Sequence, residues 1–307
     1  MLKSIIKKML RVAVLETEKL YYYFPNVRQF SVDLSVEEKG YLDEFREKGI
    51  IKLWKPEFEE IADYLNEHYF APLEQNKPVE GEDGVSVFAR HSDRPGYDHE
   101  TLKKQGVLCN ATISFLDERL FPVLFNDSLA KVLYNYYHRQ PYYRNYPILI
   151  SNFWDGASAK VSSSNFHVDG HHQISVMFLA NALTEDDTHM ELALGSHKTS
   201  YQNQFGISSA ISDDFVYKNF EIEKLIGPKG TLFMFDASTI HRGLYTPHTH
   251  RRLLHLNITT GHNVLPTRYD YFNNRSAFDS TLDVTKRMVD KIKCEESGRV
   301  LNALKSR

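Results

Sequence analysis

The chain has 307 residues, with 37 Lys and Arg against 40 Asp and Glu, giving a formal charge of −3. Apolar residues make up 42% and charged residues 25%, an ordinary globular balance that excludes a disordered chain or a collagen-like repeat. Near-neutrality gives no basic footprint for nucleic acid, and two cysteines, Cys109 and Cys294, form neither a disulfide framework nor a zinc spacing.

In chain order, the first segment reads as an amphipathic helix with a lead-in over residues 1–30. Leu2, Ile5, Ile6, Met9 and Leu10 share one face, with Lys3, Lys7, Lys8 and Arg11 at its flanks or opposite. A helix docked on the domain is the first reading, and a helix lying in a membrane surface through residues 1–15 is the alternative. The lysines interrupt any secretory apolar run, and the sparse, unpaired cysteines fit a reducing, cytoplasmic setting.

Ser35 and Glu38 form a capping box that opens a helix, and Gly49 suits the position just past its end. Ile50, Ile51 and Leu53 follow as a strand, and Pro56 starts a second helix through about Tyr69. Residues 71–100 read as a long loop and a further helix covers Asp127 to His138. After Pro141, short apolar segments at 146–154, 173–180, 190–194, 231–236 and 252–258 are separated by turn residues. That pattern predicts a mostly β architecture, a sandwich or barrel with flanking helices. Helical character returns in the tail after Asp279, where Val284, Met288, Val289 and Ile292 fall at helical spacing. The expected organisation is residues 1–30, a main domain at 31–265 and a helical tail at 266–307.

Two imidazoles and one carboxylate can hold Fe(II) on one face and leave three positions open. Such sets begin with His-x-Asp, because alternate residues of a strand point the same way. With 14 His and 19 Asp, chance supplies about one such triplet, and the chain has two. His91-Ser92-Asp93 lies in the Pro/Gly-rich loop, whereas His167-Val168-Asp169 precedes a strand. A later strand, Thr231 to Phe235, leads to His241, and Arg252 follows eleven residues on. In the last strand Arg252, Leu254, Leu256 and Ile258 share a face, so burial of that face would carry Arg252 into the barrel and Arg251 toward solvent. A buried guanidinium needs an anion, and a carboxylate-bearing cosubstrate would supply one.

His167-x-Asp169, the Gly-Ser-His-Lys turn at 195–198, His241 and Arg252 together resemble the phytanoyl-CoA dioxygenase-like family. The resemblance implies an Fe(II)- and 2-oxoglutarate-dependent dioxygenase on a double-stranded β-helix (jelly-roll) core. It implies that His167, Asp169 and His241 bind iron and that Arg252 holds the distal carboxylate of 2-oxoglutarate. Asn152 falls where the family often has an asparagine touching the cosubstrate. Leu194 stands where the family turn usually has proline, and Gly243 where it often has serine. Related halogenases lack the motif carboxylate, so Asp169 points to hydroxylation of a carbon in a small-molecule, lipid or glycan-precursor substrate.

The loop 71–100 and the polar segment 199–222 are the candidate lids. The aromatic string from Tyr134 to His138 reads as a structural cluster, and the remaining histidines, His255 among them, as surface or supporting groups. The rival readings are a cupin-like metalloenzyme without 2-oxoglutarate and a non-catalytic ligand-binding member of the same fold. No glutamate follows His167 at cupin spacing in 173–184.

Overall fold

The computed structural model describes residues 32–75, 77, 79, 103–104, 106–113, 117–137, 141–144, 146–154, 164–170, 173–259 and 288. The amphipathic helix expected over 1–30, most of the loop at 71–100 with His91 and Asp93, and nearly all of the tail lie outside those residues.

Helix α1 (Val36–Lys48) starts at the expected capping box: Ser35 Oγ accepts from the Glu38 amide, and Glu38 accepts from the Ser35 amide. Glu38 also accepts from Lys131 Nζ at 3.0 Å, which ties α1 to helix α5 (Asp127–Tyr137). Gly49 ends α1 at φ +81°, and a β-carbon there would lie 2.4 Å from His197 Nδ1. A side chain at 49 is therefore excluded twice, by backbone conformation and by the ring beneath it.

Strand β1 (Ile50–Leu53) leads to helix α2 (Pro56–Leu65), whose Phe58, Ile61, Ala62 and Leu65 form a buried stripe at helical spacing. The helix continues through a π turn, Asn66–Phe70, into the short α3 (Ala71–Glu74). Strand β2 (Val107–Thr112), short α4 (Phe121–Leu124) and α5 follow. Asn126 caps α5 by accepting from the Leu129 amide.

The remaining strands are β3 (Tyr142–Tyr143), β4 (Ile148–Phe153), β5 (Gln173–Leu179), β6 (His189–Ala193), β7 (Ile222–Lys224), β8 (Leu232–Asp236), β9 (His241–Leu244) and β10 (His250–Thr259). They build a seven-stranded antiparallel sheet in the order β1-β8-β5-β10-β4-β2, with β3 also on β10, and a three-stranded antiparallel sheet β7-β6-β9. The two sheets face each other as a double-stranded β-helix. Ile50, Met177, Leu179, Leu192, Phe233 and Phe235 pack between them.

The larger core lies elsewhere. Helices α1, α2 and α5 cover the other face of the large sheet, where Ile174, Val176, Phe178, Leu254, Leu256 and Ile258 are buried. The face headed by Arg252 is thus the helix-covered face, which corrects the expectation that its leucines line the barrel. Apolarity alone points to the Leu254–Leu256–Ile258 face of β10 as the inside. In this fold the inside is the mixed face, because it carries the site.

Arg252 belongs to that helix-side layer. Its Nε and Nη2 donate to the two Glu74 carboxylate oxygens at 2.7 and 2.6 Å, and Nη1 donates to Asn66 Oδ1. Glu74 also accepts from Ser151 Oγ and meets His250 Nε2 at 3.0 Å. Burial would raise the Glu74 pKa, but the hydrogen bonds from His250, Arg252 and Ser151 hold it down at about 2. A carboxylate depressed on folding stabilises the fold above its unfolded pKa and loses that stabilisation as pH falls through the folded value. Glu74→Gln is therefore expected to destabilise by about 3 kcal/mol at pH 7, one pKa unit being worth about 1.4 kcal/mol. The deficit relative to wild type should shrink between pH 5 and pH 2 in chemical denaturation. A deficit independent of pH would show that the loss is packing and not charge.

The segment 199–222 is not a free lid. It folds into α6 (Tyr201–Phe205) and α7 (Asp213–Asn219) against the outer face of the small sheet, where Phe166, Val168, Val216 and Ile240 are buried. A few aromatics hidden in a polar stretch (Tyr201, Phe205, Phe215 and Phe220) anchor it.

Candidate metal centre

The segment carrying His167 and Asp169 runs alongside the start of β9. The backbones of His167 and His241 exchange both amide–carbonyl hydrogen bonds at 2.9 Å, and the Asp169 amide donates to Ala237 O at 2.9 Å. Alternation then sorts the side chains. Phe166 and Val168 turn outward into the layer under α6 and α7, while His167 and Asp169 turn toward His241. One ligand atom from each of His167, Asp169 and His241 lies within 4.8 Å of the others, and among the described residues this is the group able to hold a metal ion.

The start of β9 is fixed from both sides. Ser196, in the Gly-Ser-His-Lys turn, donates through Oγ to Ala193 O at 2.7 Å and accepts from the Ile240 amide at 2.8 Å. Arg242, next to His241 but on the outer face, lies 4.2 Å from the Phe166 ring, next to His167. Its guanidinium bonds Glu191 at 2.8 Å and Asp213 at 2.9 Å. The two histidine-bearing segments are thus held together behind the site as well as within it.

The tautomers of the two histidines follow from the backbone. His167 Nδ1 lies 2.8 Å from Asn165 O and His241 Nδ1 lies 2.7 Å from Thr239 O. A carbonyl can only accept, so each Nδ1 carries the proton and each Nε2 presents its lone pair. His241 Nε2 stands 3.6 Å from Asp169 Oδ2. Burial lowers the His167 pKa, and the neighbouring His241 lowers it further. Burial would raise that of Asp169, but the adjacent histidines more than offset it and hold it below the usual carboxylate range. Neutral imidazoles and an ionised carboxylate are the forms that bind a divalent cation.

Deeper in the barrel lie Arg251 and Asn152, 6% and 5% exposed and paired in register across β10 and β4. Arg251 Nη2 donates to Asn152 Oδ1 at 2.8 Å, while Nε and Nη1 are buried without a hydrogen-bond partner. Burial lowers the Arg251 pKa, and the adjacent Tyr245, whose ring centroid is 5.9 Å away, partly offsets this. The expectation for these neighbours is therefore reversed: Arg251 points into the barrel beside Asn152, and Arg252 points to Glu74. Gly243 also has a local reason, since a β-carbon there would meet the Tyr245 ring at 3.0 Å.

His255, expected at the surface or in support, faces the barrel and bonds Ser175 Oγ through Nε2 at 2.6 Å. Burial pushes its pKa down to about 4, and the positive Arg251 acts in the same direction, so the ring is neutral. Sequence reasoning missed Arg251, His255 and Tyr245 as interior groups. The available signal was the alternate-residue face Arg251, Leu253, His255 and Asn257, which is the more polar face of β10. Tyr136 and Tyr137 reach Asp236 Oδ2 at 3.5 and 3.2 Å, as expected of a structural aromatic cluster.

No family model matches this sequence, and no curated protein does. The phytanoyl-CoA dioxygenase resemblance thus rests on the motifs themselves. Among solved structures, similarity extends to the non-heme alpha ketoglutarate dependent epimerase SnoN from nogalamycin biosynthesis. It has 11% identity and a TM-score of 0.45 over 73% of this chain and 83% of that one. The carbocyclase SnoK from the same biosynthesis has 10% identity and a TM-score of 0.46 over 77% and 87%. EctD from S. alaskensis, with 2-oxoglutarate and 5-hydroxyectoine, has 15% identity and a TM-score of 0.45 over 79% and 83%. At such scores the chemical reading rests on this chain's own geometry.

Proposed function

We propose that this chain is an Fe(II)- and 2-oxoglutarate-dependent oxygenase that hydroxylates a carbon of a small-molecule, lipid or glycan-precursor substrate. One observation carries the reading: a His167–Asp169–His241 set with both Nε2 atoms presented, in a barrel that also buries Arg251 with two unpartnered N–H groups. Three protein ligands leave half of an octahedral ion open, which suits a chelating cosubstrate plus oxygen. When bound, Fe(II) with 2-oxoglutarate and oxygen supplies an oxidant able to attack an unactivated C–H bond.

The chain's own residues do the rest. Asn165 O and Thr239 O hold the imidazoles in the binding tautomer. Arg251, steadied by Asn152, offers its remaining N–H groups to the far carboxylate of the cosubstrate, the role expected of Arg252. Leu192, Met177 and Phe235 keep water from the barrel interior.

Protein loaded with Fe(II) anaerobically and then given 2-oxoglutarate and air should release succinate at least about tenfold faster than its Asp169→Ala variant. Equal rates would overturn the proposal. Tight metal binding with no effect of 2-oxoglutarate on it would favour the cupin-like alternative.

A further inference from the structure

We propose that the substrate carries an anionic group, a carboxylate or a phosphate ester, and that Arg144 binds it at the end of the barrel that carries the metal centre. The inference rests on the oxygenase reading and adds the substrate's chemical class.

Chain direction fixes which end is which. Strand β9 leaves the metal centre at His241 and runs to Leu244; β10 returns from His250 to Thr259. Arg251 therefore lies at the end remote from the metal centre, while Asn257 and Thr259 lie at the end that carries it. The backbone agrees: the Ala237 amide donates to Gln173 O and the Asp169 amide to Ala237 O, each at 2.9 Å. Gln173 is thus level with Asp169.

Around this rim the inward side chains are polar. Tyr143 is buried on the helix side, so alternation puts Tyr142 and Arg144 on the barrel side. The Arg144 amide donates to Asn257 O at 2.8 Å, which sets the start of its side chain. Its Nη1 donates to Gln173 Oε1, and Gln173 Nε2 donates to Asn257 Oδ1 at 3.3 Å. Both amides are thereby turned so that the row ends on the guanidinium.

The decisive contrast is with the other arginines. Arg252 has Glu74, and Arg242 has Glu191 and Asp213. Arg144, half-buried, forms no ion pair with any carboxylate among the described residues. A guanidinium has five N–H donors in a planar fork, and one amide oxygen leaves most of them for a ligand. Arg251 lies at the end of β10 remote from the metal centre and is assigned to the cosubstrate. Arg144, without a carboxylate partner among the described residues and at the end of the barrel that carries His167 and Asp169, is a second anion site.

The test uses full-length protein loaded with Mn(II) and saturated with 2-oxoglutarate, so that Arg251 is already occupied. Phenyl phosphate and benzoate are titrated calorimetrically beside their neutral counterparts, phenol and benzamide, and Mn(II)-induced relaxation of the ring protons reports proximity to the metal. At least one anion should bind with enhanced relaxation. Arg144→Gln should weaken it at least tenfold, Arg144→Lys should weaken it less, and neither should affect the neutral compounds. The phosphate and carboxylate arms tell which anion is preferred, and unchanged thermal midpoints show that the variants fold. Equal affinity of wild type and Arg144→Gln, equal binding of the neutral compounds, or no anion binding at all would overturn the inference while leaving the metal reading intact. Failure of Mn(II) to load, with anion binding still dependent on Arg144, would instead remove the oxygenase reading and leave the anion site.

Discussion

Arg251→Ala is expected to raise the 2-oxoglutarate concentration needed for half-maximal succinate formation at least about a hundredfold, while Arg252→Ala leaves it nearly unchanged. The two residues are adjacent, equal in charge and opposite in surroundings. Arg251 is enclosed beside Tyr245, has Asn152 on Nη2 and buries Nε and Nη1 without a hydrogen-bond partner. A carboxylate arriving there gains a charge-assisted contact in a site whose desolvation is already complete. Arg251→Lys should lie between wild type and alanine, because it keeps the charge but loses the planar fork. Arg252 has its anion already, Glu74, held through Nε and Nη2. Its removal should therefore appear in the melting curve and not in cosubstrate dependence, since Glu74 would be left buried beside an empty place. The cosubstrate dependence of all three variants and their thermal midpoints decide the matter. A large kinetic effect at Arg252 with none at Arg251 would reverse the face assignment of β10.

What could be read from the sequence divides along physical lines. Local signals were legible: the Ser35 box, Gly49, Pro56 and the apolar strand segments act within a few residues of themselves, and each element starts or stops where they stand. The pairing of His167 with Asp169 was legible too, because the two share a face by alternation alone, and the structure brings His241 to them. The face of β10 was not. Both of its faces are buried, Arg251, Leu253 and Leu254 alike, so hydrophobicity cannot say which one meets the helices. That choice depends on Asn66 and Glu74, which reach Arg252 from more than 170 residues away. The same holds for 199–222, where mean polarity hid four aromatics that fill one side of the small sheet.

His167→Ala, Asp169→Ala and His241→Ala should each weaken binding of Fe(II), or of Co(II) as its spectroscopic stand-in, by about a hundredfold or more. Three ligands are the whole protein contribution to a facial site, so no spare group can move in when one is lost. His255 also faces the barrel, but it is committed to Ser175 through Nε2. Its replacement by glutamine should keep stoichiometric metal binding, which separates a ligand from a neighbour. His91→Ala and Asp93→Ala should likewise leave metal content unchanged, because the second His-x-Asp triplet has no partner histidine assigned to it. The three ligand losses should not be equal in their effect on folding. His241 is 4% exposed and its ring packs 5.4 Å from that of Phe235, so alanine there opens a cavity as well as removing a ligand. Asp169 is the more open residue, so Asp169→Ala leaves the smaller cavity and its thermal midpoint should fall less than that of His241→Ala. Metal titration followed by Co(II) absorption, with thermal melts of the metal-free proteins alongside, tests both parts. Stoichiometric Co(II) binding by any of the three alanine variants would remove that residue from the site.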